Sequence, residues 1–164
     1  MIHEFPEKRR VRKAFERLVD PETVETLLRV GGVQPSIKQG RIEFVLAFVR
    51  GESPSQIAER MASVADIAVE NGAVVYDLVG GLVVVAFGTH PAASSQSGSR
   101  ASLVQALREQ LAGDIKIVHG AADGHYGLFG SEKCMSYTFL VPKFDVILGT
   151  LSGLEFGQIE ELRQ

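Results

Sequence analysis

AVVYDLVGGLVVVAF, residues 73–87, holds two β-rich runs, Ala73–Val79 and Leu82–Phe87, on either side of Gly80-Gly81. Adjacent glycines tolerate the positive φ angles of a tight turn, so the runs are predicted to pair as an antiparallel hairpin. Upstream, Arg41–Arg50 is rich in Ile, Phe, Val and Leu, and both alternate sets of positions are apolar at its centre. That is the pattern of a strand covered on both faces, and a central strand is expected. Gly51 breaks it. Ser53-Pro54-Ser55-Gln56 then has capping-box spacing, with Pro54 suited to the first helical position. Ile57, Met61, Val64, Ala65 and Ala68 line one face of the helix so opened, and Asn71-Gly72 supply its stop. This face should pack on the sheet.

Downstream of the hairpin, THPAASSQSGSR, residues 89–100, is small and polar without an apolar period and reads as a loop. Leu103, Val104, Leu107 and Leu111 mark a second helix stopped by Gly113, and Ile115 and Ile117 alternate in a strand leading to His119-Gly120. The order βαββαβ predicts an α+β, ferredoxin-like fold: an antiparallel sheet with helices packed on one face. Cys134–Val141 is a further extended run, followed by Pro142 and a helical stripe of Phe144, Ile147, Leu148 and Leu151. Gly149 lies inside that helix at a cost of about 1 kcal/mol relative to alanine. At the other end, Lys8–Lys13 carries five basic residues in six positions ahead of Ala14, Phe15, Leu18 and Val19. It reads as a short amphipathic helix whose basic run is a solvated face. Asp20-Pro21-Glu22 opens a second short helix through Val24, Leu27 and Leu28 that ends near Gly31-Gly32. Residues 1–32 are therefore expected to be a helical lead-in and residues 33–164 one globular domain.

Composition narrows the function. With 45% hydrophobic and 23% charged residues, the 164-residue chain has globular usage rather than that of a disordered one. Seventeen Lys and Arg against twenty Asp and Glu leave a net charge of −3, so no general attraction to nucleic acid or an anionic membrane is expected. The longest apolar stretch, Leu82–Phe87, falls far short of the roughly 20 residues that span a bilayer. The single cysteine, Cys134, has no intrachain partner, and no apolar signal core opens the chain, so a reducing cytoplasmic setting is expected.

The ordered set of local strings resembles the catalytic domain of class III adenylate and guanylate cyclases along nearly the whole chain. Phe15 to Val24 is similar to the helical lead-in of bacterial members, and Val45 to Gly51 to the first metal-bearing strand. Val79-Gly80-Gly81 through Phe87-Gly88 resembles the hairpin with the second metal ligand, Gly127-Leu128-Phe129-Gly130-Ser131 the glycine-spaced loop, and Tyr137 to Leu148 the strand and helix with the transition-state residues. Such cyclases work as dimers: one side holds two divalent ions through two aspartates, and the other reads the base and stabilises the transition state. The resemblance places Phe48 and Gly81 at the two metal positions, Asp77 and Thr138 at the base-reading positions, and Asp145 and Gly149 at the positions of the transition-state asparagine and arginine.

Five of these six roles are lost. Phenylalanine and glycine side chains offer a hard cation no oxygen. Asp77 opposes a polyphosphate where family members often have a lysine. Thr138 is the tolerable change, because its hydroxyl still bonds a purine edge. Gly149 removes the cation on which phosphoryl transfer relies. The expectation is a catalytically inactive, homodimerising regulatory or protein-binding module in signalling, with no metal. Mg²⁺ or Mn²⁺ enters only under the alternative of a cyclase completed by a partner chain. A second alternative is a small-molecule sensor using the remodelled pocket, to which Phe44, Leu46 and Phe48 lend apolar character.

Other motifs weigh less. Gly80-Gly81 lacks the length and lysine of a phosphate-binding loop. His119, His125 and Cys134 match no zinc spacing, and the histidines are expected on solvated loops. Ser97 lacks the first glycine of a nucleophile elbow. Phe44 and Phe48 share one side of their strand but lack the basic and glycine residues of an RNA-binding signature.

Overall fold

The computed structural model describes residues 37–89, 98–131 and 134–163. The lead-in expected over residues 1–32, with its basic run, and Ser97 lie outside the described residues.

The elements in chain order are β1 (Lys38–Val49), α1 (Pro54–Glu70), β2 (Val74–Val79), β3 (Leu82–Phe87), α2 (Arg100–Leu111), β4 (Ile115–Gly130), β5 (Met135–Leu140), α3 (Phe144–Gly153) and β6 (Ile159–Leu162). A 3-10 turn, Ala112–Asp114, joins α2 to β4. The sheet runs β2-β3-β1-β4-β5, with β6 also paired to β4. The pairs β1–β3, β1–β4, β2–β3 and β4–β5 are antiparallel. This is the ferredoxin-like α+β plan with β1 near the centre, as its two-sided apolar pattern requires.

β1 sorts its residues by parity. Val45, Ala47 and Val49 face α1 and α2 in a core shared with Val64, Ala68, Val83, Val85, Leu103, Leu107 and Ile117. Ile42, Phe44 and Leu46 face the opposite way, into a second core with Val84, Ala86, Val118, Phe139, Ile147 and Leu151. Helix α1 starts as its sequence requires: Ser53 Oγ accepts from the Gln56 N–H at 3.2 Å. The reciprocal bond is displaced by one residue, since Gln56 Oε1 accepts from the Glu52 N–H at 2.7 Å. Gly72, at φ 82°, ends the helix, and the Ala73 N–H bonds back to the Ala68 carbonyl at 3.0 Å.

Four expectations change. The helices do not share one face: α3 packs on the side opposite α1 and α2, because Ile147 and Leu151 enter the second core. The sheet is not wholly antiparallel, since β6 runs parallel to β4, with Ile117 opposite Ile159. The strand begun by Ile115 and Ile117 continues to Gly130, so Gly127–Gly130 is a strand end paired with Met135–Thr138 and not a free loop. His119 and His125 accordingly stand on β4 instead of on loops.

Candidate functional site

Phe48 and Gly81 come together at one end of the sheet. Phe48 lies opposite Leu82 in the β1–β3 register, and the Val49 N–H donates to the Gly81 carbonyl at 3.0 Å. Gly81 holds φ +98°, and a Cβ there would stand 2.9 Å from the Val49 carbonyl oxygen and 3.4 Å from Phe48 Cζ. The turn therefore closes so tightly on β1 that a side chain at 81 has neither the backbone conformation nor the room.

A cation does stand beside Phe48, and it belongs to the chain. Lys116 is opposite Phe48 in the β1–β4 register. Its Nζ lies 5.5 Å from the centre of the Phe48 ring and 5.3 Å from that of Phe156. The same ammonium donates to the carbonyls of Ser152 at 3.2 Å and Leu154 at 3.1 Å, at the C-terminal end of α3 where the helix dipole favours positive charge. Arg50 caps the arrangement, its Cζ 4.9 Å from the Phe156 ring centre. Two aromatic rings, two carbonyls and the Lys116 ammonium thus form a cation–π cage at this end of the sheet. Sequence reasoning missed Lys116 and Phe156. The available signal was a lone charge between Ile115 and Ile117, at the parity that faces the second core.

Asp77 and Thr138 meet at a cavity of about 340 Å³ between β2, β3, β5 and α3. The β2–β3 register shifts between Val75 and Asp77. This bulge sets Asp77 opposite Val84, a second-core residue, although strict alternation would send it after Val75 into the first core under α1 and α2. Tyr76 also packs on the second core, with its ring centre 4.9 Å from that of Phe139. Its hydroxyl donates to Thr89 Oγ1 at 2.5 Å, and the Tyr137 hydroxyl donates to the Thr89 carbonyl. Burial pushes both phenols well above the ordinary tyrosine value, so they remain neutral donors. Thr89, fully buried, ties together β2 and β5, the two edges of the main strand order.

Asp145 and Gly149 lie exposed on α3, one residue beyond Phe144 and Leu148, which line the cavity. Asp145 is in the first turn, where its charge suits the helix dipole, and a Cβ at Gly149 would meet nothing within 4 Å. Leu82, opposite Phe48 and also lining the cavity, links the two parts of the site. Among the described residues, no three His, Cys, Asp or Glu side chains converge as a metal site. His119 and His125, six residues apart on one strand, are separated by about 20 Å. Cys134 is exposed ahead of β5.

No family model and no curated protein sequence matches the chain. Solved structures do. The adenylyl cyclase CyaB from P. aeruginosa superposes with a TM-score of 0.58 at 18% identity, covering 77% of this chain and 78% of that one. The chain has the class III nucleotide cyclase fold. The guanylyl cyclase Cya2 gives a TM-score of 0.55 at 18% identity, over 76% of this chain and 75% of that one. The guanylate cyclase domain of RhGC from Catenaria anguillulae, in complex with GTP, gives 0.59 at 12% identity, over 76% and 79%. At such identities the cyclase fold is retained while nearly every side chain is free to differ, so the chemistry rests on the residues described above. Among the described residues, no helix is long and apolar enough to cross a membrane.

Proposed function

We propose that this chain is a catalytically inactive member of the cyclase fold, used as a dimerising regulatory or protein-binding module in cytoplasmic signalling. The observation that carries this reading is the end of the sheet where Phe48 and Gly81 meet. Neither offers an oxygen, the Gly81 backbone leaves no room for a carboxylate, and the Lys116 ammonium lies against the Phe48 ring. An ammonium in that place repels Mg²⁺ or Mn²⁺ as well as substituting for its charge. Asp77 at the cavity and Gly149 on α3 remove, respectively, the tolerance for a polyphosphate and the transition-state cation.

Dimerisation is supported by exposed apolar side chains at the cavity and on α3: Leu140 and Leu148, which line the cavity, are 54% and 36% exposed, and Val146 of α3 is 56% exposed. A solved guanylyl cyclase domain of the same fold, from Blastocladiella emersonii, forms a non-canonical dimer, and a double mutant of that domain is monomeric. Purified protein supplied with Mn²⁺ and ATP or GTP is expected to make no cyclic nucleotide above the buffer background, and light scattering at micromolar concentration is expected to show a dimer. Cyclisation lost on mutation of the site would overturn the inactive reading, and a monomer would overturn the dimeric one. The second reading, a cyclase completed by a metal-binding partner chain, predicts turnover only after mixing with that partner. The third, a small-molecule sensor, is favoured by the cavity itself.

A further inference from the structure

The cavity between β2, β3, β5 and α3 has a composition unlike that of a nucleotide site. Leu82, Val84, Phe139, Phe144 and Leu148 make its walls, and among the described lining residues only Asp77 is charged. At about 340 Å³ it falls within the range of small-molecule sites, roughly 300–1,000 Å³. The apolar walls favour an apolar body. The carboxylate selects against phosphates and carboxylates by repulsion, and no lysine, arginine or histidine among the described lining residues neutralises it. Asp77 is also held in place: the bulge turns it to this face, and its Oδ1 accepts from the Leu78 N–H at 2.9 Å. A carboxylate so placed keeps further lone pairs for a ligand. The rings of Tyr76, Phe139 and Phe144, which line the same cavity and meet edge to face, suit a cation on an aromatic or aliphatic skeleton.

We propose that this cavity binds a small organic cation, a protonated amine on an apolar or aromatic skeleton, with Asp77 as its counter-ion and Thr138 as a neutral hydrogen-bonding group. The inference deepens the sensor reading and rests on this face having left nucleotide chemistry. Because Asp77 is exposed, the attraction should weaken as salt rises.

The test is titration of the full chain, followed by heteronuclear NMR, with hexylamine, phenethylamine and tryptamine, each compared with the alcohol of the same skeleton. The amines are expected to bind in the millimolar range or tighter and to shift the amide signals of Asp77, Thr138 and Leu148. Asp77→Asn keeps the acceptor for Leu78, and is expected to weaken amine binding about tenfold while leaving the alcohols unaffected. Leu148→Trp, at the partly exposed edge of the cavity, is expected to block amines and alcohols alike. Equal binding of amine and alcohol, full amine affinity in Asp77→Asn, or no amine binding at millimolar concentration would each overturn the inference. The same sample is assayed for cyclisation with Mn²⁺ and ATP or GTP. Cyclic nucleotide would overturn the inactive reading, whereas failed amine binding without cyclisation overturns this inference alone.

Discussion

Gly80 and Gly81 share a turn but differ in what they tolerate. Gly80 sits at φ +59°, and a Cβ there would meet nothing within 4 Å, so Gly80→Asn, a residue that visits this region, should change stability little. Gly81, at φ +98° with the Val49 carbonyl 2.9 Å from its Cβ position, should not accept even a methyl group. Gly81→Ala is expected to destabilise the fold by about 1–3 kcal/mol, read as a lower urea midpoint at unchanged m-value. By the same measure Gly81→Asp, at the position the resemblance gives to a metal ligand, strains the hairpin before it supplies a carboxylate. Gly149 is the opposite case. In the open middle of α3, Gly149→Ala should stabilise by about 0.5–1 kcal/mol and raise Tm by roughly 1–4 °C. A fall in Tm would show that the position serves a contact that the packing does not reveal. What the side chains at Phe48, Gly81, Asp77, Thr138, Asp145 and Gly149 can offer a ligand follows from their type alone, whereas the roles given to those positions come from the resemblance. The cation beside Phe48 was not, because Lys116 is 68 positions away along the chain and meets it only through strand register.

At the level of elements, the legible parts were those with strong local patterns: the hairpin about Gly80-Gly81, the capped start of α1, and the stripes of α2 and α3. The full length of β4 was not legible, because Gly120, Ala121, Ala122, Asp123 and Gly124 have poor strand propensity. Packing overrides that preference. A Cβ at Gly120 would stand 3.0 Å from Phe44 Cζ, and one at Gly124 would collide with the Leu140 carbonyl oxygen, so the small residues admit close neighbours on a strand paired along both edges. The β2 bulge and the placement of α3 were likewise invisible, since both follow from which residues face the second core. Lys116 joins these elements, holding the carbonyls that end α3 while packing on rings from β1 and from the segment before β6. Lys116→Met keeps the apolar stem and removes the ammonium. It is expected to destabilise by about 1–2 kcal/mol and to speed hydrogen exchange in β6 before the central strands. Unchanged β6 exchange would mean that the cage is not what fastens this end.

Across the whole molecule, one partly buried charge cluster links four elements on the other side of the sheet. Arg100, at the start of α2, reaches Glu43 of β1 at 3.6 Å and Glu161 of β6 at 3.4 Å. His119 of β4 lies against this group, opposite Val45, and its buried Nδ1 has no hydrogen-bond partner among the described residues. Burial holds the imidazole below its ordinary pKa; the Arg100 and Arg108 guanidiniums act in the same direction, and Glu161 opposes them. The folded chain therefore keeps His119 neutral at a pH where the unfolded chain already binds a proton. Stability from this group is present above the unfolded pKa of about 6.5 and is lost as pH falls from there through the folded value. Protonation also places a third cation beside two arginines, so the strain is felt by β1, α2, β4 and β6 together, and the loss should appear as a drop in global Tm instead of local fraying. His119→Gln, which cannot titrate, should flatten the decline in Tm between about pH 7 and about pH 5 relative to the parent chain. If both proteins lose stability equally over that interval, the acid sensitivity lies in the carboxylates, and the Arg100 cluster is held by its ion pairs without any contribution from the histidine.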